Sequence, residues 1–127
     1  MFLIYSSLNG AVAPTEYYSP TSGETISVGE ALKMTSGALT KASGTDKPIF
    51  VCVGAARGDG FIPVSRVTED IEFETLSSAT VATSLVGSKV TMGTDGLGVT
   101  ATTTNGVFQI SYTDGATTNS KVRGYFK

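Results

Sequence analysis

The sequence predicts an all-β domain, built as a small antiparallel β-barrel or sandwich. The chain of 127 residues contains 19 Thr and 14 Ser, and its apolar residues are rich in Val, Ile, Phe and Tyr, which favour pleated, half-buried strands. Asn-Gly and Asp-Gly pairs, which favour hairpin turns, recur along it. They are Asn9-Gly10, Asp59-Gly60, Asp95-Gly96, Asn105-Gly106 and Asp114-Gly115. Turns at this spacing indicate a chain that reverses repeatedly between short strands.

Short apolar or alternating runs are the strand candidates. They cover residues 31–35, 38–42, 48–53, 61–67, 70–75, 85–92, 97–103, 106–113 and 120–126. Ile71 and Phe73 alternate with carboxylates, so one face of their strand is expected to meet solvent. The run at 48–53 is almost continuously apolar, which predicts a central strand buried on both faces. Gly124 in the last run predicts a bulge or a close backbone approach.

The N-terminal segment differs in composition from the rest of the chain. Residues 1–23 contain two prolines, which remove ladder donors and favour extended backbone, and are expected to form an extended arm before a single β-barrel domain at 24–127. The aromatic residues of the arm need an apolar surface to cover them. That surface is supplied either by the arm's own barrel or by a neighbouring molecule, and both alternatives stay open. If the arm docks on a neighbour, deleting residues 1–18 is expected to spare the fold.

The composition excludes most familiar catalytic machinery. The sequence has no His and one Cys, Cys52, so the commonest general base and transition-metal ligand are missing and no intramolecular disulfide can form. Cys52 lies in an apolar run without a nearby base and is expected to be a buried, unactivated thiol. We therefore predict no enzymatic activity, no metal site and no cofactor.

Charge and hydropathy limit the expected partners. The chain has 9 Lys and Arg against 11 Asp and Glu, a net charge of −2, and an isoelectric point of about 5.0. Without a basic cluster, nucleic acid is not an expected partner. The apolar residues 1–5 follow no basic region and are too few for a secretory signal. No run approaches the roughly 18 apolar residues of a membrane span, so no membrane partner is expected.

Two motifs have plain structural interpretations. Arg57-Gly58-Asp59 matches the integrin-recognition tripeptide, but it lies in a Gly-rich connection between apolar strands, where a turn requires such residues. Asp70, Glu72 and Glu74 are spaced two apart, which on a strand separates neighbours by about 6.6 Å. They therefore cannot converge on one Ca²⁺ ion without a bulge. An acidic strip that faces solvent or a partner is favoured, since charge also protects strand edges.

One stretch of the chain resembles a known family. Residues Val28 to Ala42, continuing through Asp46-Lys47-Pro48-Ile49-Phe50-Val51, resemble the β-hairpin and following strand of the small head-decoration, or capsid cement, proteins of tailed bacteriophages. In that family a hydrophobic-Gly-hydrophobic entry leads to two short strands joined by a Gly turn, and then to a strand led by Pro. The resemblance covers residues 24–75. It implies a β-barrel or β-tulip-like protein that trimerises on the outer capsid surface at sites of local threefold symmetry.

The resemblance implies a structural virion protein, made in the cytoplasm of a bacterial host, that binds the major capsid protein as a homotrimer. Such a protein stabilises the shell because it binds the assembled form and not the separated subunits. The candidate contacts with the capsid or with another subunit are Phe2, Ile4, Tyr5, Tyr17, Tyr18, Asp70, Glu72 and Glu74. The alternative is a carbohydrate-binding or adhesive β-domain of a phage fibre or cell-surface protein. Its aromatic platforms would be Tyr17, Tyr18, Tyr112 and Tyr125.

Overall fold

The computed structural model describes residues 1–11 and 13–127, which form two antiparallel sheets. The strands are β1 (Leu3–Ser7), β2 (Thr15–Tyr18), β3 (Ala31–Thr35), β4 (Ala38–Lys41), β5 (Phe50–Cys52), β6 (Ile62–Arg66), β7 (Ile71–Leu76), β8 (Lys89–Val90), β9 (Phe108–Thr113) and β10 (Lys121–Phe126). Sheet A has the order β1-β7-β10-β9-β8, and sheet B has the order β2-β6-β5-β3-β4. A single 3₁₀ turn, Thr83–Leu85, is the helical element of the described residues.

The sheets remain separate, so the molecule is a β-sandwich, which confirms one of the two predicted architectures, and not a closed barrel. Side chains from both sheets, such as Val51 of β5 and Phe73 of β7, form one buried cluster between them. Four aromatic rings lie at its centre, with centroid separations from 5.1 to 6.5 Å. They belong to Phe2, Phe73, Phe108 and Phe126. Sheet A therefore buries one face against sheet B.

Sheet B buries both of its faces. Its second face carries a separate apolar cluster, formed by Leu32, Leu39, Phe50, Cys52, Ile62 and Val64. Ile26, from the segment before β3, packs against that cluster. The prediction that the apolar run at 48–53 forms a central strand is confirmed, because β5 lies in the middle of sheet B and all three of its residues are buried.

The N-terminal segment supplies an edge strand to each sheet instead of extending away as an arm. β1 pairs with β7, and β2 pairs with β6. Phe2, the residue before β1, is only 2% exposed and packs in the central cluster. The expectation that Phe2 is a docking residue is therefore wrong, since its ring is buried within its own chain. Within a single chain, the N-terminal segment therefore packs on its own domain, which was one of the two alternatives for covering its aromatic residues.

Other predicted elements shift or disappear. The run at 85–92 forms strand only at Lys89–Val90, and 97–103 makes isolated bridges through Val99 instead of a strand. The tight turn between β3 and β4 lies at Ser36-Gly37, where both residues have positive φ. This backbone suits a type I′ hairpin, and it uses none of the Asn-Gly or Asp-Gly pairs that the sequence singled out.

Candidate functional site

The outer face of sheet A is open to solvent along its strands. The outward side chains on its strands are exposed or half-buried, and none of them is buried. At its centre lie Tyr5 of β1, Glu72 and Glu74 of β7, Arg123 of β10 and Tyr112 of β9. We call these five residues the aromatic face. Both Tyr5 and Tyr112 are exposed, at 50% and 41%.

Arg123 organises the aromatic face. Its guanidinium carbon lies 3.9 Å from the ring centroid of Tyr5 and 4.6 Å from that of Tyr112. Its Nε donates a hydrogen bond of 2.9 Å to Oε2 of Glu74, and this bond raises the pKa of Arg123. Cation–π contacts of this kind stabilise by about 0.5–1 kcal/mol at exposed sites. Arg123 thus holds two tyrosines from different strands in one fixed arrangement.

Glu72 links β7 to the adjacent β1 and, across β10, to β9. Its two oxygens accept hydrogen bonds from the hydroxyls of Ser6 on β1 and Ser111 on β9. Tyr125 lies on the same face, and its pKa is raised by partial burial and by nearby Glu72. The phenol therefore stays neutral and able to donate a hydrogen bond at physiological pH. The face offers both rings and hydrogen-bonding groups to a partner.

An apolar groove continues from the aromatic face toward the N-terminus. Met1, Leu3, Leu76 and Lys121 contribute to its walls, and it encloses about 240 Å³. Leu3 and Leu76 are about half exposed, at 51% and 49%. Apolar side chains beside exposed tyrosines and an arginine give the composition found at the centre of protein interfaces.

The structure brings together only some of the predicted contact residues. Tyr5, Glu72 and Glu74 share the aromatic face, and Ile4 is 37% exposed on the adjoining edge strand. Asp70 precedes β7, where its carboxylate accepts a hydrogen bond from Thr68, so the acidic strip is shorter than expected. The remaining two tyrosines lie on β2 in the other sheet.

Tyr17 and Tyr18 have separate environments on sheet B. The Tyr18 hydroxyl donates to Oε1 of Glu16 at 2.7 Å, which raises the pKa of Tyr18, and its ring packs 5.1 Å from that of Phe50. Tyr17 is exposed and lies under the guanidinium of Arg57. Tyr17 and Tyr18 therefore cannot form one surface with the aromatic face of sheet A.

Sequence reasoning missed Arg123 and placed Tyr112 only among sugar platforms. The apolar pattern of Val122, Gly124 and Phe126 does indicate that Arg123 points away from the core. Its two tyrosine neighbours follow from strand order, since β10 lies beside β9, which carries Tyr112, and only β7 separates it from β1, which carries Tyr5. No local pattern encodes that order.

The Arg57-Gly58-Asp59 loop has a structural arrangement of its own. Arg57 Nη2 lies 2.8 Å from Oδ2 of Asp59, and Oδ1 of Asp59 accepts the backbone N–H of Phe61. The backbone N–H of Phe61 also lowers the pKa of Asp59. Arg57 and Asp59 are thus paired with each other instead of being held apart, which favours the turn interpretation over adhesion.

Cys52 has the environment expected from its apolar neighbours. It is buried, its Sγ donates to the carbonyl of Gly54, and burial raises the pKa of the thiol. The prediction of a buried, unactivated thiol is confirmed. In the described part of the chain, no three potential metal ligands among Cys, Asp and Glu come together. Among residues 1–11 and 13–127 no helix capable of crossing a membrane is found.

Glu30 is a buried carboxyl group with an incomplete set of hydrogen bonds. Glu30 is only 2% exposed, and its Oε1 accepts a hydrogen bond of 3.4 Å from the backbone N–H of Ser27. Oε2 has no hydrogen-bond partner among residues 1–11 and 13–127. Burial raises the pKa of Glu30, with smaller opposing effects from the Ser27 N–H and from Lys41.

The Glu30→Gln variant is expected to become more stable than wild type as pH rises. The native pKa is above the ordinary value of 4.5, so stability from Glu30 is fully present below that value and is lost as pH rises through the raised value. Removing the buried charge should therefore give the variant an advantage over wild type that grows as pH rises above 4.5 and is complete above the raised pKa. Urea unfolding across this range measures it, with exposed Glu69→Gln as the control. An advantage independent of pH would contradict the assignment.

The architecture defines the chain as an antiparallel β-sandwich with one open, aromatic sheet face. No protein-family model, curated protein or solved structure compared with the chain matches it significantly.

Proposed function

We propose that the protein is a structural virion protein, a decoration or cement protein that binds the outer surface of a tailed-phage capsid as a trimer. The observation that carries the proposal is the open aromatic face of sheet A, where Arg123 fixes Tyr5 and Tyr112 in an exposed arrangement. Tyrosine and arginine, together with tryptophan, are enriched among the residues that dominate binding energy at protein interfaces.

The segment that resembles the decoration proteins also supports the proposal. Residues 31–41 form a hairpin, β3 and β4, with Gly37 in its turn, and β5 follows Pro48. This is the order of elements on which the resemblance rests. The aromatic face lies outside this segment except for its β7 residues, so the two arguments are largely independent.

The mechanism of stabilisation is thermodynamic. A protein that binds the assembled shell and not its free subunits shifts the equilibrium toward the shell by mass action. Three linked copies convert modest individual contacts into avidity. A footprint of exposed tyrosines, one arginine and two carboxylates is suited to contacts of this modest, partly polar kind.

Replacing Tyr112 with Ser is expected to weaken capsid binding by about tenfold or more, because truncation of an anchoring tyrosine commonly costs over 1.4 kcal/mol. The measurement is co-sedimentation of the purified protein with expanded, undecorated phage heads. Tyr17→Ser is a matched control, since Tyr17 is exposed at 42% against 41% for Tyr112 and also lies under an arginine, but on sheet B.

Equal losses for Tyr112→Ser and Tyr17→Ser would contradict the assignment of the aromatic face as the footprint. Wild-type protein that fails to sediment with heads would contradict the capsid-binding function itself. Circular dichroism melts of both variants separate loss of binding from loss of folding.

The second candidate is a carbohydrate-binding domain, favoured by the same exposed rings beside Ser111 and Glu72. Sugars stack on aromatic rings, yet the guanidinium of Arg123 already lies over both Tyr5 and Tyr112. One side of each ring is therefore occupied. Binding to a glycan array that is abolished by Tyr112→Ser, with no binding to heads, would favour this candidate.

A further inference from the structure

The outer edge of β1 differs from the other free sheet edges of the described chain. An exposed edge strand presents unpaired N–H and C=O groups to any second strand, and proteins protect such edges with charge, proline, short length or covering segments. β1 pairs only with β7 among the described residues, and four of its five residues are exposed. Its sequence, Leu-Ile-Tyr-Ser-Ser, contains no charge and no proline.

The other three edges are protected. β4 is covered by the preceding segment, because Leu39 donates to the carbonyl of Ser19 and accepts from the N–H of Thr21, both at 2.8 Å. β8 is two residues long and carries Lys89. β2 carries Glu16, which is paired with Arg66. The single protective device of β1 is a bulge between Ile4 and Ser6.

We propose that β1 is a self-association strand, whose outer edge pairs antiparallel with β1 of a second copy of this chain. The pairing joins two A sheets into one continuous sheet about a twofold axis. It goes beyond capsid binding, since it needs no capsid, and because it is twofold it is a contact separate from the one that would hold the proposed trimer together.

The charge pattern of sheet A favours a second copy as the occupant. A charged edge strand would place like charges opposite each other in a twofold pair, which destabilises, whereas β1 is neutral. Glu72 and Glu74 lie one strand further in. In the paired sheet the two β7 strands are three strand spacings apart, about 14 Å. That distance exceeds the Debye length of about 8 Å at physiological ionic strength, so the acidic rows do not oppose the contact.

The exposed apolar side chains of β1 give the contact its favourable area. Leu3 and Ile4 are 51% and 37% exposed in the single chain. Antiparallel pairing brings these side chains of each copy beside those of the other, whereas the Tyr5 ring stays on Arg123. The bulge restricts the register, since the partner strand has to accommodate the extra residue at the same place.

The test charges the β1 edge while giving each new charge a carboxylate partner on β7, so that Ser6→Lys replaces the hydrogen bond of the Ser6 hydroxyl to Glu72 with an ion pair. Leu3 lies opposite Glu74 and Ser6 opposite Glu72, so Leu3→Lys and Ser6→Lys each place an ammonium across from a carboxylate within the chain, which favours the fold. Between two copies, the same lysines repel. Thr15→Lys on β2, opposite Ser65, is the matched control on another edge.

Sedimentation equilibrium of the purified proteins at high micromolar concentration gives the result. We expect wild type and Thr15→Lys to form a species of at least twice the monomer mass. Leu3→Lys and Ser6→Lys are expected to give a lower average mass, closer to that of the monomer. Leu3→Lys and Ser6→Lys should raise the dissociation constant about tenfold or more. A monomeric wild type, or β1 variants that associate as tightly as wild type, would overturn the proposal. Failure of capsid binding leaves these masses unchanged, so the two proposals fail separately.

Discussion

Replacing Phe2 with Ala is expected to lower the free energy of unfolding by about 3–5 kcal/mol, the usual cost of truncating a buried Phe. The ring lies 5.2 Å from Phe126, 5.8 Å from Phe108 and 6.5 Å from Phe73 by centroid. Those three rings would line the space that alanine leaves. The total free energy of unfolding of a typical domain is only about 5–15 kcal/mol. A loss of this size should therefore lower the midpoint of urea unfolding sharply.

Leu3→Ala is the neighbouring control. Leu3 is half exposed, and the truncation is expected to change stability by no more than about 0.5 kcal/mol. A similar small change for Phe2→Ala would show that the N-terminal residue is not part of the core. The burial of Phe2, together with β1 and β2, favours the intramolecular alternative, under which deletion of residues 1–18 lowers stability.

Alternation identified the strands whose two faces differ. Ile71 and Phe73 are buried, and Glu72 and Glu74 are half-buried on the outer face, as the period-2 pattern predicts. The continuous apolar run at β5 likewise predicts burial on both sides. These features follow from neighbouring residues in the sequence, and a single sequence is sufficient to show them.

The N-terminal segment could not be assigned in this way. Phe2, Tyr5 and Tyr17 are aromatic residues in a proline-containing segment, and nothing local distinguishes the one that enters the core. The distinction arises from pairing: β1 joins β7, which is 64 residues or more away along the chain, and this places Phe2 among distant rings. Long-range partners of this kind are fixed by the whole fold.

The aromatic face depends on a second feature that the sequence does not specify. Ser111 and Tyr112 are adjacent, and both are exposed, although strict alternation would place them on opposite faces. The register between β10 and β9 shifts at Arg123 and Gly124. This bulge allows both residues to face outward, with Tyr112 opposite Arg123. Gly124 in the sequence indicates that a bulge or close approach is present, but not which tyrosine it positions.

Replacing Gly124 with Ala is expected to destabilise the protein by about 3 kcal/mol, at the upper end of the usual cost of overpacking. A Cβ at Gly124 would lie 2.7 Å from Cε1 of Phe108 and closer still to the backbone carbonyl of Gln109. The Phe108 ring is packed against Phe2 and Phe126 and has little room to move. The backbone of β9 would have to shift, and the bulge with it.

Gly58→Ala is the control for this change, because Gly58 lies in an exposed loop and no atom lies within 4 Å of its ideal Cβ position. It is expected to change stability by no more than about 0.5 kcal/mol. Urea unfolding measures both variants, and equal midpoints would contradict the close approach of β9 and β10. Because the same bulge sets Tyr112 opposite Arg123, Gly124→Ala should also weaken co-sedimentation with phage heads where it remains folded. If a folded Gly124→Ala variant binds heads as well as wild type does, the bulge is not needed to position the aromatic face for binding.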